Sequence, residues 1–203
     1  FFTNKGKVYH LKVHEIPEAG RQAKGTALIN LISLEAGEKI TAIIPVRAFQ
    51  KDLFLFMLTK KGIVKKTNLK LYKTSRRDGI IAINLDEDDE LKEVLLTDGD
   101  NDILLGTKEG LIIRFNEKDV APHGRASRGV KGINLRENDE VVGADVVREQ
   151  VDVLTLTENG YGKRTPVSEY RLQSRGGKGI INIKLTLKSG PVIGLQLIKK
   201  NEE

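Results

Sequence analysis

The sequence predicts an all-β fold, a propeller-like array of about four four-stranded blades, and three observations carry that prediction. Thr-x-x-Gly recurs at Thr3, Thr59, Thr107 and Thr157, with successive spacings of 56, 48 and 50 residues. A second glycine, at Gly25, Gly79, Gly129 and Gly179, follows the first by 19, 17, 19 and 19 residues and precedes a leucine by six. Apolar residues fall in short runs between turn signals rather than at helical spacing.

Each repeat opens on an apolar run ahead of its Thr, at 1–2, 53–58, 103–105 and 151–156. The Thr-x-x-Gly turn follows, then a strand carrying cations three and four positions after the Gly. An exposed basic loop leads to the second glycine and another short strand, and a last apolar run closes the unit at 40–44, 94–96, 141–146 and 192–198. Only 14–19 and 167–170 leave room for brief helix. The units span approximately 1–52, 53–102, 103–150 and 151–203, read as one domain. A lone four-stranded sheet cannot bury both faces, whereas blades packed side by side bury them and protect their edges. The alternative is two unrelated β-barrels with coincident glycine spacing.

A chain of 203 residues can bury a substantial core. No stretch of 18 apolar residues indicates a transmembrane helix, and the N-terminus lacks a signal-peptide pattern. The chain holds no cysteine, which removes disulfides and thiolate metal sites and fits a cytosolic protein. Phe1-Phe2-Thr3-Asn4 reads as the end of a strand, so a longer parent chain is expected.

The net charge of +6 hides a segregation. The four segments 6–25, 62–79, 110–129 and 160–179 hold 19 Lys and Arg against 6 Asp and Glu; the other residues hold 15 against 22. If the repeats are blades, these segments superpose and their cations form a band around the outside. The expected members are Lys7, Lys12, Arg21 and Lys24; Lys65, Lys66, Lys70, Lys73, Arg76 and Arg77; Arg114, Arg125, Arg128 and Lys131; and Lys163, Arg164, Arg171, Arg175 and Lys178. A curved basic band suits a phosphate backbone, because neutralising phosphates releases counterions without base readout. Gly176, Gly177 and Gly179 beside Arg175 and Lys178 would allow close backbone approach and free N–H groups to a phosphate.

No recognition helix, zinc-ligand spacing or aromatic stacking series is visible, so sequence-specific reading of bases is not expected. The acidic run Asp86-Glu87-Asp88-Asp89-Glu90 matches no calcium loop and reads as a solvated turn that repels phosphate. His10, His14 and His123 are not expected to bind metal, and Tyr9, Tyr72, Tyr161 and Tyr170 read as strand and core residues. With no nucleophile constellation and no phosphate loop, catalysis by this segment is not expected.

Several stretches resemble a known family: Phe1-Phe2-Thr3-Asn4-Lys5-Gly6-Lys7-Val8-Tyr9, Glu15-Ile16-Pro17-Glu18-Ala19-Gly20-Arg21, Gly124-Arg125-Ala126-Ser127-Arg128-Gly129-Val130-Lys131-Gly132-Ile133 and Arg164-Thr165-Pro166-Val167-Ser168. Over the whole chain they are similar to the C-terminal domain of the A subunit of bacterial DNA gyrase. The resemblance implies part of a six-bladed β-pinwheel that wraps double-stranded DNA around its basic rim. The family's glycine-rich box is matched best by Gln173-Ser174-Arg175-Gly176-Gly177-Lys178-Gly179, in the last repeat and with Ser174 in place of an Arg. The strand-passage tyrosine belongs to another domain, so none of the four tyrosines here takes that role. The resemblance also implies membership of an ATP-dependent type II topoisomerase, an isomerase of A2B2 assembly in the bacterial cytoplasm. ATP and Mg2+ would sit on the B subunit, with no cofactor on this segment. The alternatives are the equivalent domain of topoisomerase IV, serving decatenation, and a propeller acting as a protein-interaction platform.

Overall fold

The computed structural model describes residues 1–148 and 150–199. The first repeat supplies strands β1 (Phe2–Thr3), β2 (Lys7–Val8) and β3 (Ile40–Ala42). The second supplies β4 (Phe54–Thr59), β5 (Ile63–Asn68), β6 (Ile80–Ile81) and β7 (Leu91–Thr97). The third supplies β8 (Asp102–Thr107), β9 (Leu111–Asn116), β10 (Val130–Lys131) and β11 (Val141–Val147), and the fourth β12 (Val151–Thr157), β13 (Gly162–Pro166), β14 (Ile180–Ile181) and β15 (Val192–Lys199). Among the described residues helix is confined to short 3-10 turns, two of them at Val13–Glu15 and Val167–Glu169, and none is long and apolar enough to cross a membrane.

The strands form four antiparallel sheets, ordered β3-β1-β2-β6, β7-β4-β5-β10, β11-β8-β9-β14 and β15-β12-β13. The all-β reading holds, but the strands are shared differently from the sequence expectation. The short strand after each second glycine joins the blade of the preceding repeat: β6 pairs with β2, β10 with β5 and β14 with β9. Residues 25–31 of the first repeat, matching those donors in sequence, lie instead around a 3-10 turn at Leu28–Asn30. The fourth sheet has three strands, and the outward edge of β13 is exposed at alternate residues.

The two glycine landmarks are the two sides of this exchange. Each turn glycine has positive φ, near +73 to +80°, the left-handed conformation that glycine adopts without steric cost. In the first three repeats its carbonyl accepts from the incoming donor segment: Gly6 from Ala82 at 2.7 Å, Gly62 from Gly132 at 2.9 Å and Gly110 from Asn182 at 2.8 Å. The space is fully used, since a Cβ on Gly110 would lie 2.6 Å from the carbonyl oxygen of Ile183. The threonine of the motif holds the turn from the other side, Thr59 Oγ1 accepting from Ile63 N–H at 3.1 Å and Thr107 Oγ1 from Leu111 N–H at 3.2 Å.

Strands β4, β5, β8 and β9 are buried on both faces because neighbouring blades cover them. One apolar cluster lies between the second and third sheets, around Phe56, Phe115, Ile103 and Val141. A second joins the first and second sheets through Phe2, Met57, Leu69 and Ile83. Strands β3, β7, β11 and β15 pack in succession along the inner side of the array. Consequently β6, β10 and β14, at the opposite edges of their sheets, occupy the outer rim.

Candidate nucleic-acid interface

The loops entering β6, β10 and β14 carry the predicted basic residues to this rim. They are docked in one register, Asn84 N–H donating to the Ser127 carbonyl at 3.0 Å and Asn134 N–H to the Gly177 carbonyl at 2.8 Å. Four residues before the second glycine stand Arg125 and Arg175. Arg125 Nη1 donates to the Ile81 carbonyl at 2.5 Å; Arg175 donates through Nε to the Asp119 carbonyl at 2.8 Å and through Nη1 to the Lys131 carbonyl at 3.2 Å. Each guanidinium therefore staples its loop to the donor strand of the blade before it.

The predicted cations divide into three groups. Arg21, Lys24, Lys70, Lys73, Arg76, Arg171 and Lys178 are exposed, and none of them has a carboxylate partner among the described residues. Arg77 meets Glu15 only at 3.9 Å, and Lys131 donates to Asn134 Oδ1 at 3.3 Å, both still open to solvent. An exposed ion pair such as Arg77 with Glu15 contributes little and leaves the cation free to exchange partners. Lys163 is half-buried on the open strand β13.

A second group is spent on local structure near the surface. Lys7 pairs with Glu35 and Arg128 with Asp86. Arg164 Nε lies 3.2 Å from Asp152. Arg114 is held more firmly, with Asp102 Oδ2 at 2.8 Å from Nη2 and 3.0 Å from Nε, and with the Val167 and Tyr170 carbonyls at 3.4 Å from Nη1.

The third group contradicts the expectation of an exposed band. Lys65 and Lys66 are 0 % and 4 % exposed. Lys65 Nζ donates to the carbonyls of Ala82 at 2.7 Å, Ser127 at 3.3 Å and Arg125. Burial, with Arg125 nearby, pushes its ammonium down to about 8. Lys66 Nζ donates to the Glu117 carbonyl at 2.8 Å and stands 5.5 Å from the centre of the Phe54 ring; burial lowers its pKa too. The physical reason is that the following repeat closes over β5, the Pro122 segment bridging to Lys66 and β10 to Val64.

The glycine-rich loop is likewise committed to structure. Gly176 N–H donates to the Gly132 carbonyl at 2.6 Å, so it is not a free donor for phosphate. Gly179 has φ +72°, and a Cβ there would lie 2.6 Å from the Ile112 carbonyl oxygen. Gly177, whose Cβ would meet only ordinary contacts, is sterically permissive.

The acidic run forms a tight turn with Asp88 at φ 58°, in which Asp89 Oδ1 accepts from Lys61 N–H at 2.9 Å. Among the described residues no group of three His, Asp or Glu side chains is placed to hold a metal ion. Tyr9, Tyr72 and Tyr170 are buried, their hydroxyls donating to Glu38 at 2.7 Å, the Ala82 carbonyl at 3.0 Å and Asn182 at 2.6 Å. Arg136 was missed by the sequence reading because it lies in the acidic half of its repeat, yet it lines the same outer groove as Lys178.

These features define a class: a β-propeller-type repeat module whose blades exchange strands and whose outer rim carries unpaired cations. The family model for the DNA gyrase C-terminal domain, beta-propeller, matches residues 1–47, 54–98, 101–148 and 152–199, and the chain belongs to that family. It is 53% identical over 203 residues to the DNA gyrase A protein of Clostridium acetobutylicum and 49% identical over 206 residues to that of Staphylococcus epidermidis. Both alignments cover 100% of this chain but only 24% and 23% of those proteins, so the chain spans about a quarter of their length. Among solved structures, the C-terminal domain of a DNA topoisomerase IV superposes with TM-score 0.91 at 31% identity, covering 98% of this chain and 62% of that one. A DNA gyrase A C-terminal domain superposes with TM-score 0.85 at 28% identity, covering 98% and 64%.

Proposed function

We propose that this chain is the DNA-binding and DNA-wrapping part of the gyrase A protein, holding duplex DNA by its phosphates along the outer rim. The observation that carries the reading is the recurrence of exposed cations in or beside the basic segment of every repeat, at Arg21 and Lys24 in the first, Arg76 and Arg77 in the second, Lys131 on strand β10 in the third, and Arg171 and Lys178 in the fourth. Bending even 20–30 bp of DNA through 40–90° costs on the order of 1–6 kcal/mol, so phosphate interactions must be distributed along the curve. A repeating blade supplies them at regular intervals, without base recognition.

In the longer protein, a segment bent with defined hand would be presented to the strand-passage gate, and the cycle would yield negative supercoils. ATP and Mg2+ would be used by the gyrase B protein of an A2B2 assembly in the cytoplasm. The structural likeness to a topoisomerase IV domain supports the same rim acting on DNA in decatenation, whereas the full-chain relatives at about half identity favour gyrase.

The test is binding to duplexes of about 20 and about 140 bp across a salt series, with religation of a relaxed circle in the presence of the protein. Steep salt dependence, preference for the long duplex and a shifted linking number are expected. Length-independent binding with no change of linking number would reduce the reading to DNA binding without wrapping. No binding at moderate salt would replace it with a protein-interaction platform.

A further inference from the structure

Successive junctions between repeats carry the same groove with different charges. Arg128 and Lys178 each immediately precede the second glycine of their repeats, and Asp86 and Arg136 each follow a second glycine by seven residues. Because the two loops dock in one register, Asp86 and Arg128 meet at the junction of the second and third repeats, in a recess of about 80 Å³. There they form an ion pair. One junction further, Arg136 and Lys178 line an open groove of about 570 Å³. The nearby acids compensate weakly: Glu137 lines the same groove, and Glu109 approaches Arg136 only to 3.7 Å.

Two cations facing one solvent-filled groove repel each other until an anion enters, whereas an acid and a base already paired must be separated before either can bind one. We infer that the groove between the third and fourth repeats is a phosphate-binding notch built by Arg136 and Lys178, and that Asp86 silences the equivalent notch one repeat earlier by holding Arg128. The inference rests on the DNA-binding reading for its partner and refines it: the rim is not evenly sticky, and its grip is concentrated toward the fourth repeat.

The experiment compares the whole chain with Asp86→Asn, Arg136→Asp and, as a control with the same charge change as Arg136→Asp, Lys51→Asp at an exposed position of the 43–53 connection. Binding of a duplex of about 140 bp is measured across salt, with thermal unfolding checking that each variant folds. Asp86→Asn is expected to tighten binding about threefold to tenfold and to steepen the salt slope by about one. Arg136→Asp recreates the silenced arrangement and is expected to flatten the slope by about two, since Lys178 is then engaged as well. Arg136→Asp behaving like Lys51→Asp, or Asp86→Asn leaving affinity unchanged, would overturn the notch while leaving DNA binding intact.

A second arm follows the arginine side-chain Nε–Hε NMR signals during titration with inorganic pyrophosphate. Arg136 is expected to shift in the parent chain and Arg128 only in Asp86→Asn. That response in a chain that binds no duplex would uphold the notch and defeat the DNA reading instead; an Arg136 signal no more responsive than that of Arg128 overturns the notch.

Discussion

The ammonium of Lys65 donates to the carbonyl oxygen of Ala82 across 2.7 Å, from a position with no solvent exposure. Ala82 lies in the segment that crosses to the first blade, and the other acceptors, Arg125 and Ser127, lie in the loop that crosses to the second. One lysine thus ties two successive strand exchanges together.

Lys65→Ala should therefore destabilise the fold by about 3 kcal/mol, since it opens a cavity and leaves buried carbonyls without donors. Lys65→Met should cost less, about 1–2 kcal/mol, because the volume is kept and a buried charge is removed. Urea unfolding checks both. Neither variant should change the salt slope of DNA binding, as Lys65 cannot reach a phosphate.

The same group gives a pH dependence of defined sign. Its pKa is about 8 in the folded chain against an ordinary 10.5. Between those values the unfolded chain keeps a proton that the native state has shed, so stability rises with pH there and this contribution is flat below pH 8. The slope is at most about 1.4 kcal/mol per pH unit. Burial raises Tyr9 and Tyr72 above their ordinary 10.0, so stability falls again as the pH climbs past that value. Denaturation midpoints from pH 7 to 11 should peak between pH 8 and 10 for the parent chain, and Lys65→Met should make the rising limb shallower, the part that remains coming from Lys66 and the Phe1 amino group, which burial also lowers.

Why Lys65 and Lys66 read as rim residues is instructive. The sequence displays the repeat length, the turn glycines and the basic loops because each is a local device. It does not display which blade receives the strand after each second glycine, since that is a relation between repeats. Burial of β5 on both faces follows from that exchange, and it turns two adjacent lysines inward. A usable signal was present in the opposed strand, where Leu55, Phe56, Met57 and Leu58 are continuously apolar, the mark of a strand covered on both sides. Arg125 and Arg175 were legible as loop cations but not as staples, because their acceptors are backbone carbonyls of the previous repeat.

The two kinds of turn glycine should respond differently to substitution. Gly110→Ala meets both a positive φ and the Ile183 carbonyl oxygen 2.6 Å from the new Cβ, whereas Gly160→Ala meets positive φ alone, with nothing within 4 Å. The second should cost about 1–2 kcal/mol, the left-handed penalty, and the first at least twice that. Equal losses in chemical denaturation would show that strand donation does not constrain the Gly110 turn.

Arg114 is a structural cation despite its place in a basic segment. Arg114→Met removes the paired hydrogen bonds to Asp102, whose side chain is 19 % exposed, and those to the carbonyls of Val167 and Tyr170. A carboxylate left without its partner in a partly buried site costs about 2–4 kcal/mol. The unfolding midpoint should fall while the salt slope of DNA binding by the folded protein stays unchanged.

Arg76 and Arg171 are expected to show the converse behaviour. Both are exposed, and neither has a carboxylate partner among the described residues, so replacing either with alanine should shift stability by less than about 0.5 kcal/mol. If each neutralises one phosphate, removing it should flatten the plot of log affinity against log salt by about 0.9. The residues sit in the rim loops of the second and fourth repeats and share no partner, so the double variant should show the sum of the two effects. A slope unchanged in both single variants would remove these loops from the DNA path and confine the binding surface to the cations of the remaining repeats.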